Sequence, residues 1–116
     1  MGTTTSAKDQ GDLIRQLLLG DWAQLVGPYR EYAWDLMTSV VPSQMWGITQ
    51  GAPDGWVIAQ KTGFAGHIAN SVGFGRHPNG VDSYVVAVLT NGWSSWSRGV
   101  PTVEEVSGWV AESLAR

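Results

Sequence analysis

The hydrophobic period of this chain switches near residue 56, which divides it into a helical and a strand-forming part. Upstream, apolar residues recur at helical spacing; downstream, they alternate or run on continuously, as strands do. Trp56-Val57-Ile58-Ala59-Gln60-Lys61-Thr62 is a short apolar strand candidate ended by Gly63, and Phe64-Ala65-Gly66 reads as a turn. From His67 to Gly75 the residues alternate. Ile68, Asn70, Val72 and Phe74 fall on one face, and Ala69, Ser71 and Gly73 on the other. Asn79-Gly80 is a strong hairpin signal, because both residues tolerate positive φ. Tyr84-Val85-Val86-Ala87-Val88-Leu89 follows and is almost wholly apolar, as expected of a strand covered on both faces and central in its sheet. The expectation is a three-stranded antiparallel meander over 55–90.

Helical periodicity brackets the meander. Ser6 and Asp9 form an [ST]-x-x-[DE] helix start, and Leu13, Ile14, Leu17 and Leu18 make one apolar face. With Gly20 as C′ residue, the first helix is expected over 7–19. Pro28 suits the first turn of a second helix over 28–40, with Tyr29, Tyr32, Ala33, Leu36, Met37 and Val40 as its stripe and Pro42 as its stop. Residues 41–55 read as an irregular connection and 91–100 as a Gly/Ser/Trp loop. Thr102-Val103-Glu104-Glu105 is a capping box, and Val103, Val106, Val110 and Leu114 continue it into a last helix over 103–115, lying against the meander. The fold class is α+β.

Composition removes several functions. In 116 residues, 7 Lys+Arg stand against 10 Asp+Glu, a net charge of −3, so there is no basic surface for nucleic acid. The absence of cysteine excludes a thiol nucleophile, a Cys-ligated zinc and an iron–sulfur cluster. No apolar run approaches 18 residues and the first six residues are polar, so neither a membrane span nor a signal peptide is expected in this stretch. Compartment stays open. His67 and His77 have no carboxylates at ligand spacing, so no metal or cofactor is expected.

Lys61-Thr62-Gly63 is the strongest candidate for chemistry. An ammonium, a hydroxyl and a glycine at a strand end supply charge, a directional hydrogen bond and close backbone approach for an anion. Alone, such a tripeptide is an ordinary solvated turn. In context, the segment resembles the penicillin-recognising serine hydrolases, the class A-type β-lactamases and DD-peptidases, whose K-T-G motif lies on the edge strand bordering the active site. Trp56–Gly63 is similar to that strand, Asn70-Ser71-Val72-Gly73-Phe74-Gly75 to its neighbour and Tyr84–Gly92 to the next. Residues 103–115 are similar to the C-terminal helix, and Thr4–Asp9 with its helix to the helical-domain segment before the motif.

The resemblance covers nearly the whole chain and implies roles. Residues 1–42 would be a helical-domain segment and 55–116 the C-terminal part of the α/β domain. Lys61 would hold positive potential and orient catalytic hydroxyls, Thr62 would hydrogen-bond a substrate carboxylate beside Gly63, and the Phe64 N–H would be one of two oxyanion-hole donors. The family's other motifs are missing from these residues. No Ser has Lys three positions later, and no Ser or Tyr has Asn two positions later. The expectation is the C-terminal part of a serine acyl-transfer hydrolase, inactive alone. The resemblance also implies five strands, two of them and a long helix from the N-terminal side. The strand at 82–90 would then expose an apolar edge, to be covered by an N-terminal portion carrying S-x-x-K or by a second copy. The alternatives are a non-catalytic carboxylate- or protein-binding module and a structural remnant.

Other residues read as structure. Arg76 and Arg98 read as solvated loop cations. Glu104 and Glu105 read as cap charges. Trp93 and Trp96 are expected to pack at the last helix rather than form a platform. Trp22, Trp34, Trp46, Trp56 and Trp109 are expected in the core or at a domain junction, and Gly73-Phe74-Gly75 marks a bulge or close packing.

Overall fold

The computed structural model describes residues 4–20 and 27–114. Ser6 caps the first helix α1 (Ala7–Leu19), its hydroxyl accepting from the Asp9 N–H at 3.1 Å. Gly20 ends α1 in an extended conformation rather than the left-handed one expected of a C′ glycine. A side chain there would collide with Gln16. α2 (Pro28–Thr38) begins at the expected proline and stops two residues short of the expected 40, at Ser39.

The meander is β1 (Val57–Ala65), β2 (Ile68–Arg76) and β3 (Ser83–Thr90), antiparallel in the order β1-β2-β3. Pairing runs without a break from Val57↔Arg76 to Ala65↔Ile68, and from Arg76↔Ser83 to Ala69↔Thr90. No bulge interrupts Gly73-Phe74-Gly75; the glycines mark close packing instead. A Cβ on Gly73 would meet the Gln60 backbone and one on Gly75 would sit 2.6 Å from Tyr84 Cζ.

The turn expected at Phe64-Ala65-Gly66 lies two residues later, at Gly66-His67. Gly66 takes the first central position with φ +51°, where a II′-type hairpin needs glycine, and this lets β1 run on through Lys61–Phe64. Asn79-Gly80 lies in a longer connection, 77–82, in which Asn79 Oδ1 accepts from the Val81 and Asp82 N–H groups. β3 is covered on both faces, as expected, but it is an edge strand here and β2 is central.

The sheet is sandwiched. On one face α1 and α2 bury Ile14 and Leu18 against Ala59, Val72 and Phe74, with Trp34 meeting Phe74 edge-on at 5.7 Å. On the other, the one-turn helix α3 (Ile48–Gly51) and the long α4 (Trp96–Leu114) bury Ile48, Val103 and Ala111 against Ala69, Val86 and Val88. Burying Phe74 or Ile48 contributes on the order of 2 kcal/mol each.

Two segments depart from sequence expectation. Within 41–55, Pro42–Gln44 forms a 3₁₀ turn and Ile48–Gly51 a helical turn. At the other end, α4 starts at Trp96, seven residues before the expected 103, and carries Pro101 inside it. The Thr102 capping box therefore does not start the helix. Proline removes one hydrogen bond to the exposed Ser97 carbonyl, while Trp96 stacks on Trp46 at 6.0 Å and lies 4.3 Å from the Phe64 ring. Tertiary packing of the first turn outweighs the local stop signal. Trp93 and Trp96 thus pack, while Trp109 is 59% exposed rather than core, and Trp22 lies outside the described residues.

Candidate active site

β1 is an edge strand, so the side of it away from β2 has no strand partner among the described residues. Lys61, Thr62, Gly63 and Phe64 all lie within it rather than at its end. Ladder hydrogen bonds in an antiparallel pair alternate, so every second residue turns its N–H and C=O outward. Two contacts fix which ones do. Ala69 O accepts from Thr90 Oγ1, so Ala69 faces β3 and its partner Phe64 faces away from β2. Thr62 O, two residues earlier, accepts from the Lys61 ammonium. The open edge therefore presents, in order, the Lys61 charge on Thr62 O and the Phe64 N–H.

Side chains alternate across the same strand. Lys61 is exposed on the α1 side, above a cavity of about 210 Å³ lined by Thr5, Gln10, Thr62, Gly63, Asn70, Val72 and Leu89. None of these is acidic, so the ammonium is the sole charge there and favours an anion. A second hollow of about 370 Å³ adjoins it, sharing Thr5, Asn70 and Leu89 and reaching Asn91.

Thr62 faces the α3 side and is 4% exposed; its hydroxyl donates to Gln44 Oε1 at 2.7 Å. Behind it lies a buried polar clamp. Gln60 Nε2 donates to the carbonyls of Gln44 (2.7 Å) and Trp46 (3.2 Å), and Gln60 Oε1 accepts from Thr49 N–H (3.0 Å). Ser71 Oγ accepts from Ile48 N–H, and Glu104 accepts from Gly47 N–H at 3.2 Å. Gly47 sits at φ +81°, where a Cβ would come 2.5 Å from Ser71 Oγ. These groups hold segment 44–51 against the back of the motif strand. Sequence reading missed Gln44, Gln60, Ser71 and Ser107, whose hydroxyl donates to the Gly47 carbonyl at 3.4 Å; the one available signal was a polar Gln60 straight after the apolar run Val57–Ala59. Glu104, read as a cap charge, is a tertiary tether.

The remaining candidates stay apart from this edge. Arg76 stacks over the Trp34 ring at 4.2 Å, and Arg98 is exposed. His67 Nδ1 hydrogen-bonds Trp93 O at 2.6 Å, and His77 meets Trp56 edge-on at 5.1 Å. Among the described residues no group of three or more His, Asp or Glu is placed to hold a metal, and no helix is long and apolar enough to cross a membrane.

The architecture is shared with known proteins. A solved structure of PBP-A is 27% identical, with TM-score 0.76 over 94% of this chain and 39% of that one. A halotolerant bacterial beta-lactamase is 22% identical, with TM-score 0.82 over 97% of this chain and 43% of that one. A beta-lactamase from Burkholderia vietnamiensis is 25% identical, with TM-score 0.78 over 95% and 40%. This chain thus spans about two-fifths of those proteins' length. No curated protein matches it. The match to the beta-lactamase enzyme family runs over residues 1–114 and so takes in every described strand and helix, from α1 to α4; the chain belongs to the beta-lactamase enzyme family.

Proposed function

We propose that this chain is the motif-bearing portion of a serine acyl-transfer hydrolase, taking a substrate carboxylate at Lys61, Thr62 and Gly63 and donating the Phe64 N–H to a developing oxyanion. The observation that carries the reading is the outward-facing pair on the free edge of β1, the Lys61 ammonium held on the Thr62 carbonyl and the Phe64 N–H two residues beyond that carbonyl. An L158E mutant of PBP-A, 27% identical to this chain, has been solved as an acyl-enzyme complex with penicillin G, which supports β-lactams or related amides as the substrate class.

The nucleophile is not among these 116 residues in S-x-x-K form. In this reading it comes from a segment that docks on the sheet, and the outer edge of β3 is where that segment adds a strand. β3 is eight residues long, largely apolar and unpaired on that side among the described residues. Such an edge recruits a partner strand, and a second copy takes the place when the natural segment is absent. Light scattering on the purified chain tests this point: a monodisperse 12.5 kDa monomer would overturn it.

The catalytic part is tested by labelling with a fluorescent penicillin. The chain mixed with an S-x-x-K-bearing N-terminal segment becomes labelled, and the chain alone does not. Lys61→Ala slows labelling of the pair by about 100-fold, the scale of a lost electrostatic contact to the reacting group. Unchanged labelling in both Lys61→Ala and Thr62→Ala would show that the motif has no part in the reaction.

A further inference from the structure

The Thr62 hydroxyl has one proton to donate, and in this structure Gln44 Oε1 receives it at 2.7 Å. A carboxylate bound at Thr62 needs that same proton. The two demands are compatible only if Gln44 changes its role, and a carboxamide is built to do so. Turned by half a revolution about its last bond, it offers Nε2–H to the Thr62 oxygen in place of accepting from it. The hydroxyl then accepts from Gln44 and donates to the anion, and the two hydrogen bonds strengthen each other.

We propose that Gln44 is the positioning residue that aims the Thr62 hydroxyl and makes this subsite selective for an anionic carboxylate over a neutral group. The inference rests on the carboxylate role given to Thr62 above. The backbone of Gln44 is fixed independently of its side chain. Its carbonyl accepts from Gln60 Nε2 at 2.7 Å, within the 3₁₀ turn Pro42–Gln44. Among the described residues, no hydrogen bond uses Gln44 Nε2, so the carboxamide turns without breaking another contact. Nearby charges are already engaged: Lys61 on the Thr62 carbonyl and Glu104 on the Gly47 N–H.

The test is a titration of the full 116-residue chain with penicillin G and with its methyl ester, followed at the Gly63 and Phe64 amides. Gln44→Glu supplies only acceptors at neutral pH and adds a like charge. Penicillin G affinity is expected to fall at least tenfold at pH 7 and to recover towards pH 4, where the introduced acid regains a proton to donate. Ester binding stays unchanged. Gln44→Met, which keeps the length without polar atoms, weakens penicillin G several-fold with no recovery towards pH 4. Measured against the parent at each pH, that contrast between the two variants is one a merely structural role would not produce. If Thr62→Val weakens penicillin G while both Gln44 variants bind as the parent does, the inference is overturned and the carboxylate subsite stands. If neither Thr62→Val nor Lys61→Ala changes penicillin G binding, the subsite reading itself falls, and this inference with it.

Discussion

Gly99 lies beneath the indole of Trp93, so close that a Cβ there would sit 2.6 Å from Trp93 Cε2. The same indole donates from Nε1 to Thr90 Oγ1 at 2.7 Å, which ties the first turn of α4 to the end of β3. Two effects compete in Gly99→Ala. Alanine is favoured over glycine inside a helix by about 1 kcal/mol. Overpacking against a rigid, hydrogen-bonded ring costs about 1–3 kcal/mol. The clash wins, because the indole is pinned and cannot swing aside. Gly99→Ala should lower stability by about 1–2 kcal/mol in urea unfolding. An increase in stability would show that the indole is free to move.

That contact also explains the largest disagreement between sequence and structure. The residues of 91–100 carry loop chemistry, with three serines, two glycines and two tryptophans, and a proline follows. Nothing local signals a helix. It forms because Trp96 packs on Phe64 and Trp46, and because Gly99 permits Trp93 to approach. Residues 44–51 were illegible for the same reason, since their partners Gln60, Ser71, Glu104 and Ser107 are all remote in sequence. By contrast, α1 and the three strands were legible, because a cap at Ser6 and alternation along β2 are local signals. The motif strand could be found from Lys61-Thr62-Gly63, but the outward aim of the Phe64 N–H depends on strand register, and register depended on a turn placed two residues too early.

Gln60 is 1% exposed and makes three hydrogen bonds to the backbone of segment 44–49. Gln60→Leu keeps the volume and removes all three, leaving the Gln44 and Trp46 carbonyls and the Thr49 N–H without that partner. Each buried group orphaned in this way costs about 1–3 kcal/mol, lessened where water reaches it. A loss of about 2–4 kcal/mol is expected in denaturant unfolding. Because Gln44 loses its anchor, penicillin G binding should weaken as well, even in conditions where the variant is fully folded. A stability loss below 0.5 kcal/mol would mean the segment is held by its apolar contacts alone.

Tyr84 is 5% exposed, and its hydroxyl is buried with no hydrogen-bond partner among the described residues. Burial pushes the phenol up to about 12, since the charged form would be poorly solvated. The folded pKa lies above the unfolded one of about 10, so the stabilising contribution is fully present below pH 10. It is lost as pH rises towards 12, because only the unfolded chain releases the proton in that window. The size of the alkaline loss is on the order of 2 kcal/mol. Tyr84→Phe removes both the titration and the unpaired hydroxyl, while the ring keeps its contact with Trp56 at 5.2 Å. The variant should be as stable as the parent, or about 1 kcal/mol more so, at pH 7. Its unfolding midpoint should also fall less steeply between pH 10 and 12. An identical alkaline profile in parent and variant would assign the loss to other groups.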